Sequence, residues 1–207
     1  MNQRLRAQTT RRDRRSNPER AAETRARIVA AVVDSIAELG FQRTTAAEIA
    51  RRAGVTWGAV QHHFGGKDGI LIAVLEDSFS RFAERFADID AESITLEKRV
   101  SLFVDRAWTH FASPHFRSTL EILLHYTAPD PEDVWPDELL AAWTRIWTGL
   151  FHDAHLSPGR RLTLQRYTIS LLVGLASMKV FERAPTQVRN GELRLLKNTL
   201  TQELSRQ

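Results

Sequence analysis

Residues 44–67 read TTAAEIARRAGVTWGAVQHHFGGK, and this stretch decides the fold. It has the form of two short helices joined by a tight turn at Gly54, a helix-turn-helix. Thr45-Ala46-Ala47-Glu48 spells a capping box, in which the Thr45 hydroxyl and the Glu48 carboxylate each satisfy a backbone N–H at the helix start. Ile49, Ala50 and Ala53 supply an inward face. Gly54 stands where a residue of positive φ ends a helix, and Thr56 is placed to cap the next one. Val55 and Val60, before and after that cap, are spaced as a hydrophobic staple that fixes the angle of the second helix.

At 100° per residue, Trp57, Gly58, Gln61 and His62 fall on one side of the second helix and Ala59, Val60 and His63 on the other. The first side carries hydrogen-bonding groups and no acid that would repel phosphate. A glutamine can bond an adenine edge twice in the major groove, and a glycine lets the helix backbone approach the duplex. A helical hairpin buried in a bundle would instead need this side to be apolar. After Gly65-Gly66, Lys67 puts a cation at the positive end of the next helix, where an acid is the usual choice. A bound phosphate resolves that conflict.

Charge is distributed to match. Residues 1–67 hold 13 Lys+Arg against 6 Asp+Glu, although the whole chain is only +4, so the remainder leans acidic. Nine arginines lie in the first 27 residues, and the run Arg11-Arg12-Asp13-Arg14-Arg15 has no apolar period. Residues 1–21 are therefore expected to form a disordered basic arm able to lie along phosphates or enter a minor groove. No apolar core follows the paired arginines, so they do not read as an export signal.

Together these residues resemble the DNA-binding domain of the TetR (tetracycline repressor) family of bacterial transcription regulators, over about Glu23 to Asp77. The resemblance rests on Ala37-Glu38-Leu39-Gly40-Phe41, Thr44-Thr45, Ile49-Ala50, Ala53-Gly54-Val55, Gly58 to Phe64, Lys67 and Leu71. It implies that Thr45, Thr56, Trp57, Gly58, His63 and Lys67 face DNA. For His63 this departs from the helical wheel, which turns it inward. Gln61 stands where the family usually has a tyrosine that contacts the DNA backbone, and Gly66 replaces a common capping serine. The expected DNA-binding set is thus Thr45, Thr56, Trp57, Gly58, Gln61, His62, His63 and Lys67.

Nothing in the remaining pattern asks for a strand. Apolar residues recur every three or four positions, as in Ile28, Val32, Ile36 and Leu39, which predicts an all-α protein of about nine helices. Beyond the helix-turn-helix pair, helices are expected at about 22–39, 67–88, 95–112, 114–126, 136–155, 158–184 and 190–205. The domains follow as the arm, a DNA-binding domain at 22–67 and a ligand-binding and dimerisation domain at 68–207. The helix at 158–184 is apolar around much of its circumference, and Leu193, Leu196, Leu200 and Leu204 form a stripe. The two helices are expected to pair with their two-fold mates in a homodimer.

Trp143, Trp147 and Phe151 repeat every fourth residue, and Trp108 and Phe111 on an earlier helix could face them. Such a stripe either packs as ordinary core or lines an apolar effector pocket, with His110, His125 and Tyr126 as candidate polar groups. The candidate effector site is therefore Trp108, Phe111, His125, Tyr126, Trp143, Trp147 and Phe151, for a flat or hydrophobic small molecule that is neutral or weakly charged. The chain has no cysteine, no apolar run long enough for a membrane span, and no HExxH, GxSxG, Walker A or GxGxxG pattern. His152 and His155 lie one turn apart without a third ligand, and adjacent His62 and His63 cannot chelate together. No cofactor, metal site or catalytic residue is expected. The reading is a cytoplasmic, ligand-responsive, sequence-specific DNA-binding regulator, a repressor on resemblance, acting on double-stranded operator DNA. A nucleoid-type protein that binds DNA without sequence preference is the alternative, and an enzyme with a helical fold lies further off.

Overall fold

A computed structural model describes residues 17–125, 135–178 and 187–206, the side chains of 135–140 and 187–189 excepted. Nine α-helices make up the described residues: α1 (Asn17–Leu39), α2 (Ala46–Ala53), α3 (Trp57–Phe64), α4 (Lys67–Glu84), α5 (Leu96–Phe111), α6 (Pro114–His125), α7 (Trp135–Leu150), α8 (Pro158–Met178) and α9 (Gln187–Leu204). Single 3₁₀ turns lie at Phe41–Arg43 and Ala91–Ser93.

Helix α1 begins earlier than the sequence pattern placed it. Asn17-Pro18-Glu19 puts a proline, whose fixed φ suits a helix start, and an acid into the first turn, so residues 17–21 are helical rather than part of an arm. Residues 1–16 of the expected arm lie outside the described residues. At the other end, α4 closes at Glu84 and α7 at Leu150, each about one turn short of expectation, with turns completing both segments. Residues 179–184 of the expected long helix likewise lie outside the described residues.

Two apolar cores stand in series. The first joins Ile28, Val32 and Ile36 of α1 to Ile49, Val60, Ile70, Leu71, Val74 and Leu75, and is completed by Ile122 of α6. The second gathers Phe103 and Ala107 of α5, Trp143 and Trp147 of α7, Leu164 and Leu172 of α8 and Leu196 and Leu200 of α9. Helix α4 belongs to both, through Leu71 and Val74 in its first half and Phe82 in its second.

The leucine stripe of α9 does not face a partner subunit. Leu193, Leu196, Leu200 and Leu204 are all buried in the second core, where α9 packs on α5. The apolar groups left on the outside of α8 and α9 are Leu162, Tyr167, Met178 and Leu195, between 42% and 64% exposed. On α8 the exposed stripe also carries the small residues Ser170, Gly174 and Ser177.

Candidate nucleic-acid interface and effector core

The helix-turn-helix is held by its caps. Thr45 accepts from the Glu48 backbone N–H at 3.2 Å, and Thr56 from that of Ala59 at 3.2 Å. Gly54 takes φ 65° and Gly65 φ 74°, left-handed values that end α2 and α3 and that a side chain would strain. The capping box is only half formed. The Glu48 carboxylate turns to Arg51 (2.7 and 2.9 Å) and Arg52 instead of returning to the Thr45 N–H. Those hydrogen bonds from Arg51 and Arg52 hold its carboxyl well below the usual range, at about 2. Arg52 also bonds Glu38 at 2.6 Å, which ties α2 to α1.

On α3 the exposed residues are Gly58, Gln61 and His62, continuous with the exposed cap Thr56. Trp57 differs from the wheel reading: it is half-buried and packs against the first core. It sits at the first helical position, where the ring can fold back over the preceding turn. His63 is also half-buried, its ring edge-on to His62 at 5.5 Å, and its carbonyl accepts from Arg25 at 3.1 Å. Arg25 stacks on Phe64 at 4.4 Å and pairs with Glu76 of α4 at 3.7 Å. Sequence reading missed this residue, which fastens the C-terminus of α3 to α1 and α4. Lys67 is exposed and lies 5.0 Å above the Phe41 ring, at a helix start where Gly66 provides no side-chain cap. Its first-turn N–H groups therefore remain available to an anion.

The helix-turn-helix half is bolted to α6. Ser118 Oγ donates to the Val33 carbonyl at 3.0 Å, Arg117 to that of Ala37 at 2.5 Å, and the Phe41 N–H to Glu121 at 2.9 Å. His125 stands over Phe41, 4.4 Å between rings. It thus belongs to this seam and not to the tryptophan cluster. Tyr126 lies outside the described residues.

Trp143, Trp147, Phe151 and Phe111 do converge. Trp143 stacks on Phe82 of α4 at 5.6 Å and 18°, Trp147 meets Phe103 edge-on at 5.6 Å, and Phe151 meets Trp147 at 4.9 Å. Phe111 lies 6.4 Å from Trp143 and 4.6 Å from Phe116. Trp108 is half-buried at the edge of this core. Phe82, Phe103 and Phe116 were not singled out as site residues, although Phe82 falls within the helix expected at 67–88. His110 is buried against Phe82 and Phe116, and loss of solvation pushes its pKa down to about 4. Beside Phe111 and Phe116 a groove of about 630 Å³ opens between the α5–α6 corner and α8.

Arg99 is occupied structurally, bonded to Asp153 (2.6 and 2.8 Å) and to the carbonyl of Leu150 at the end of α7. His152 pairs with Glu92 at 2.8 Å. Among the described residues no three His, Asp or Glu side chains are grouped to hold a metal, and no helix is long and apolar enough to cross a membrane.

A capped helix-turn-helix with an open, acid-free outer face, joined through α4 to a second helical core, has the form of a DNA-reading helix-turn-helix module. Residues 28–74 match the model for bacterial regulatory proteins of the tetR family. The chain is 28% identical over 152 residues to the HTH-type transcriptional regulator BetI of Burkholderia ambifaria, spanning 73% of this chain and 68% of that one. In fold it is similar to a TetR family transcription regulator from Marinobacter aquaeolei (TM-score 0.66, 14% identity, covering 90% of this chain and 97% of that one). It is also similar to the transcriptional regulator FadR from Bacillus subtilis, solved in complex with stearoyl-CoA (TM-score 0.60, 20% identity, 86% and 96% covered). Over residues 28–74 the chain is thus similar to the tetR family, and over 73% of its length to a transcriptional regulator.

Proposed function

We propose that this protein is a homodimeric cytoplasmic repressor that holds a pseudo-palindromic operator through α3 of each subunit and releases it when a small molecule enters the aromatic core. One observation carries the reading. Helix α4 starts at the exposed Lys67 beside α3 and ends with Phe82 stacked on Trp143. A displacement at the rings therefore moves the start of α4, because a regular helix transmits motion along its axis with little give. A ligand releases DNA only by favouring a spacing of the two α3 helices that the operator does not. The FadR relative, solved with stearoyl-CoA, supports effector binding in this architecture.

Within the site, Thr45, Thr56, Gly58, Gln61, His62 and Lys67 touch DNA, while Trp57 and His63 serve mainly to seat α3. The rings of Phe111, Trp143, Trp147 and Phe151 line the effector site, with Trp108 at its rim. The dimer forms through the outer faces of α8 and α9, where Tyr167, Met178 and Leu195 remain exposed and the small residues of α8 allow close approach. It acts by binding, without an enzymatic step.

Selecting operators from random DNA and footprinting the complex tests this. Two half-sites about 34–36 Å apart, or a multiple of that, are expected. A sedimenting monomer on one asymmetric site overturns the dimer. Equal affinity for selected and random DNA at every salt concentration overturns the repressor in favour of a nucleoid-type protein.

A further inference from the structure

Ser78, Phe82 and Arg85 are spaced to share one face of α4, with Arg85 as its C-terminal cap residue. That face meets α5. Arg106 donates to the Arg85 carbonyl at 2.6 Å, and one turn further along α5 the His110 ring lies 5.0 Å from that of Phe82. Ser78 and His110 are buried, at 0% and 4% exposure, and Arg85 is half-buried. Ser78 Oγ and Arg85 Nε are sealed from solvent without a hydrogen-bond partner, which native interiors seldom leave unexplained.

Arg85 differs from its neighbours in what it lacks. Arg81 is held by Asp77 at 2.7 Å, Arg99 by Asp153 at 2.6 Å and Arg106 by Asp88. Arg99 also has an unmet Nε, but its terminal nitrogens are taken by Asp153 and the Leu150 carbonyl. Among the described residues no carboxylate lies within ion-pair distance of Arg85. An arginine at a helix C-terminus can instead answer the last carbonyls. Those of α4 are already met, since Phe82, Ala83 and Glu84 accept from the N–H groups of Arg85, Phe86 and Ala87, and Arg85 itself accepts from Arg106. Among the described residues the guanidinium is left without an acceptor. No pattern in the sequence marks it, because Arg85 comes beside His110 only where α4 crosses α5.

We propose that Arg85, His110 and Ser78 form the receptor for a carboxylate, and that the effector is a singly charged apolar acid whose head is held where α4 crosses α5 while its body lies against Phe82, Phe111 and Phe116. The proposal rests on the reading of the aromatic core as the effector site and names the head group that this core selects. A guanidinium bonds a carboxylate through two parallel N–H groups, and a serine hydroxyl and an imidazole N–H can each donate once more. One charge is what the receptor can answer. Burial, and then the charge of Arg85, push His110 down to about 4, so at neutral pH Arg85 is the one cation of the three. His115, the other basic group acting on His110, is turned to Asp77 at 3.4 Å. The apolar body has a route in. The His110 ring lies 5.4 Å from those of both Phe111 and Phe116, which also wall the groove of about 630 Å³. A carboxylate on Arg85 grips α4 at the end opposite Lys67.

Three probes with one body separate the head groups: 4-phenylbutyrate, 4-phenylbutan-1-ol and 4-phenylbutylamine. Their binding to the full-length protein is measured by titration calorimetry and tryptophan fluorescence, in wild type, Arg85→Gln, Arg85→Lys and, as a control for lost charge at the surface, Arg145→Gln. Wild type is expected to bind the acid at least tenfold more tightly than the alcohol or the amine. Arg85→Gln is expected to lose about tenfold or more for the acid and nothing for the alcohol, which also reports that the core is intact. Arg85→Lys, which keeps the charge without the planar fork, is expected to fall between, and Arg145→Gln to match wild type. If the alcohol binds as tightly as the acid, or both Arg85 variants weaken the two alike or leave the acid unchanged, the carboxylate receptor is overturned while the aromatic core stands as the site. Tightest binding by the amine overturns the sign of the charge. If no probe binds or perturbs tryptophan fluorescence, the core is not the effector site and both readings fall.

Discussion

A Cβ built on Gly69 would lie 1.9 Å from the carbonyl oxygen of Phe64, so the first turn of α4 runs against the last residue of α3 at a distance only glycine permits. Helices α3 and α4 are thereby set edge to edge. Alanine in a helix is ordinarily favoured over glycine by about 1 kcal/mol. Here the clash outweighs that gain, because the nearest atom is backbone and cannot swing away. Gly69→Ala is expected to destabilise the fold by about 1–3 kcal/mol in urea melts and to weaken operator binding. A variant as stable as the parent with unchanged affinity would show that the α3–α4 contact is soft.

Gly58 behaves oppositely. Its Cβ would meet only Thr56 Oγ1, at 3.9 Å, so the fold has room for a side chain there. That room lies on the exposed face of α3, where the proposed duplex would sit. Gly58→Ala is expected to melt at the same or a slightly higher temperature, gaining up to about 1 kcal/mol of helix propensity. DNA affinity should nevertheless fall about tenfold as the methyl group meets the duplex. Unaltered affinity would place the duplex away from this face.

Lys67 and Gln61 should fail in different ways. Lys67→Ala is expected to weaken selected and random DNA alike and to lower the salt slope by about one, the signature of a phosphate contact. Gln61→Ala is expected to relax preference at one base position and cost about 1–3 kcal/mol on the preferred operator. Binding across a salt series to operator variants distinguishes them, and a specificity change from Lys67→Ala without a slope change would refute the division.

His110 makes stability depend on pH. Its folded pKa, about 4, lies below the ordinary value of about 6.5, so between those limits the unfolded chain binds the extra proton. The contribution is complete above about pH 6.5 and is lost as pH falls toward 4. Burial lowers His115 as well, with the same sign. Unfolding free energy is expected to drop by about 2–3 kcal/mol from pH 7 to 4.5 on account of His110. His110→Leu should remove most of that slope, and a slope that survives the substitution would assign it to other groups.

The helix-turn-helix was legible because caps, staples and turn glycines are local: Thr45, Gly54 and Thr56 declare themselves within four residues of the atoms they satisfy. The start of α1 was not legible because the arginine-rich run before it has no apolar period, and Asn17-Pro18-Glu19 opens the helix before the apolar repeat begins at Ile28. Glu48 was assigned to the box because periodicity cannot say that two arginines compete for it. The α9 stripe was real but its facing was not readable, since Leu193 to Leu204 would look the same against α5 as against a partner subunit. His125 was grouped with the tryptophans by residue type, and its contact with Phe41 spans more than eighty positions. The meeting of Trp143 with Phe82, between helices sixty residues apart, became visible only in the fold.

The seam between α1 and α6 carries one further consequence. Ser118 and Arg117 grasp the carbonyls of Val33 and Ala37, and Glu121 takes the N–H of Phe41. All three address main chain, which every sequence presents alike. Under the proposed function, side chains on the outer surface of α1 and the exposed ones of α3 can therefore be rewritten for a different operator without disturbing how α6 grips the first core. The joint is indifferent to what is read, which makes the two halves separable parts for recombination, in evolution as in the laboratory.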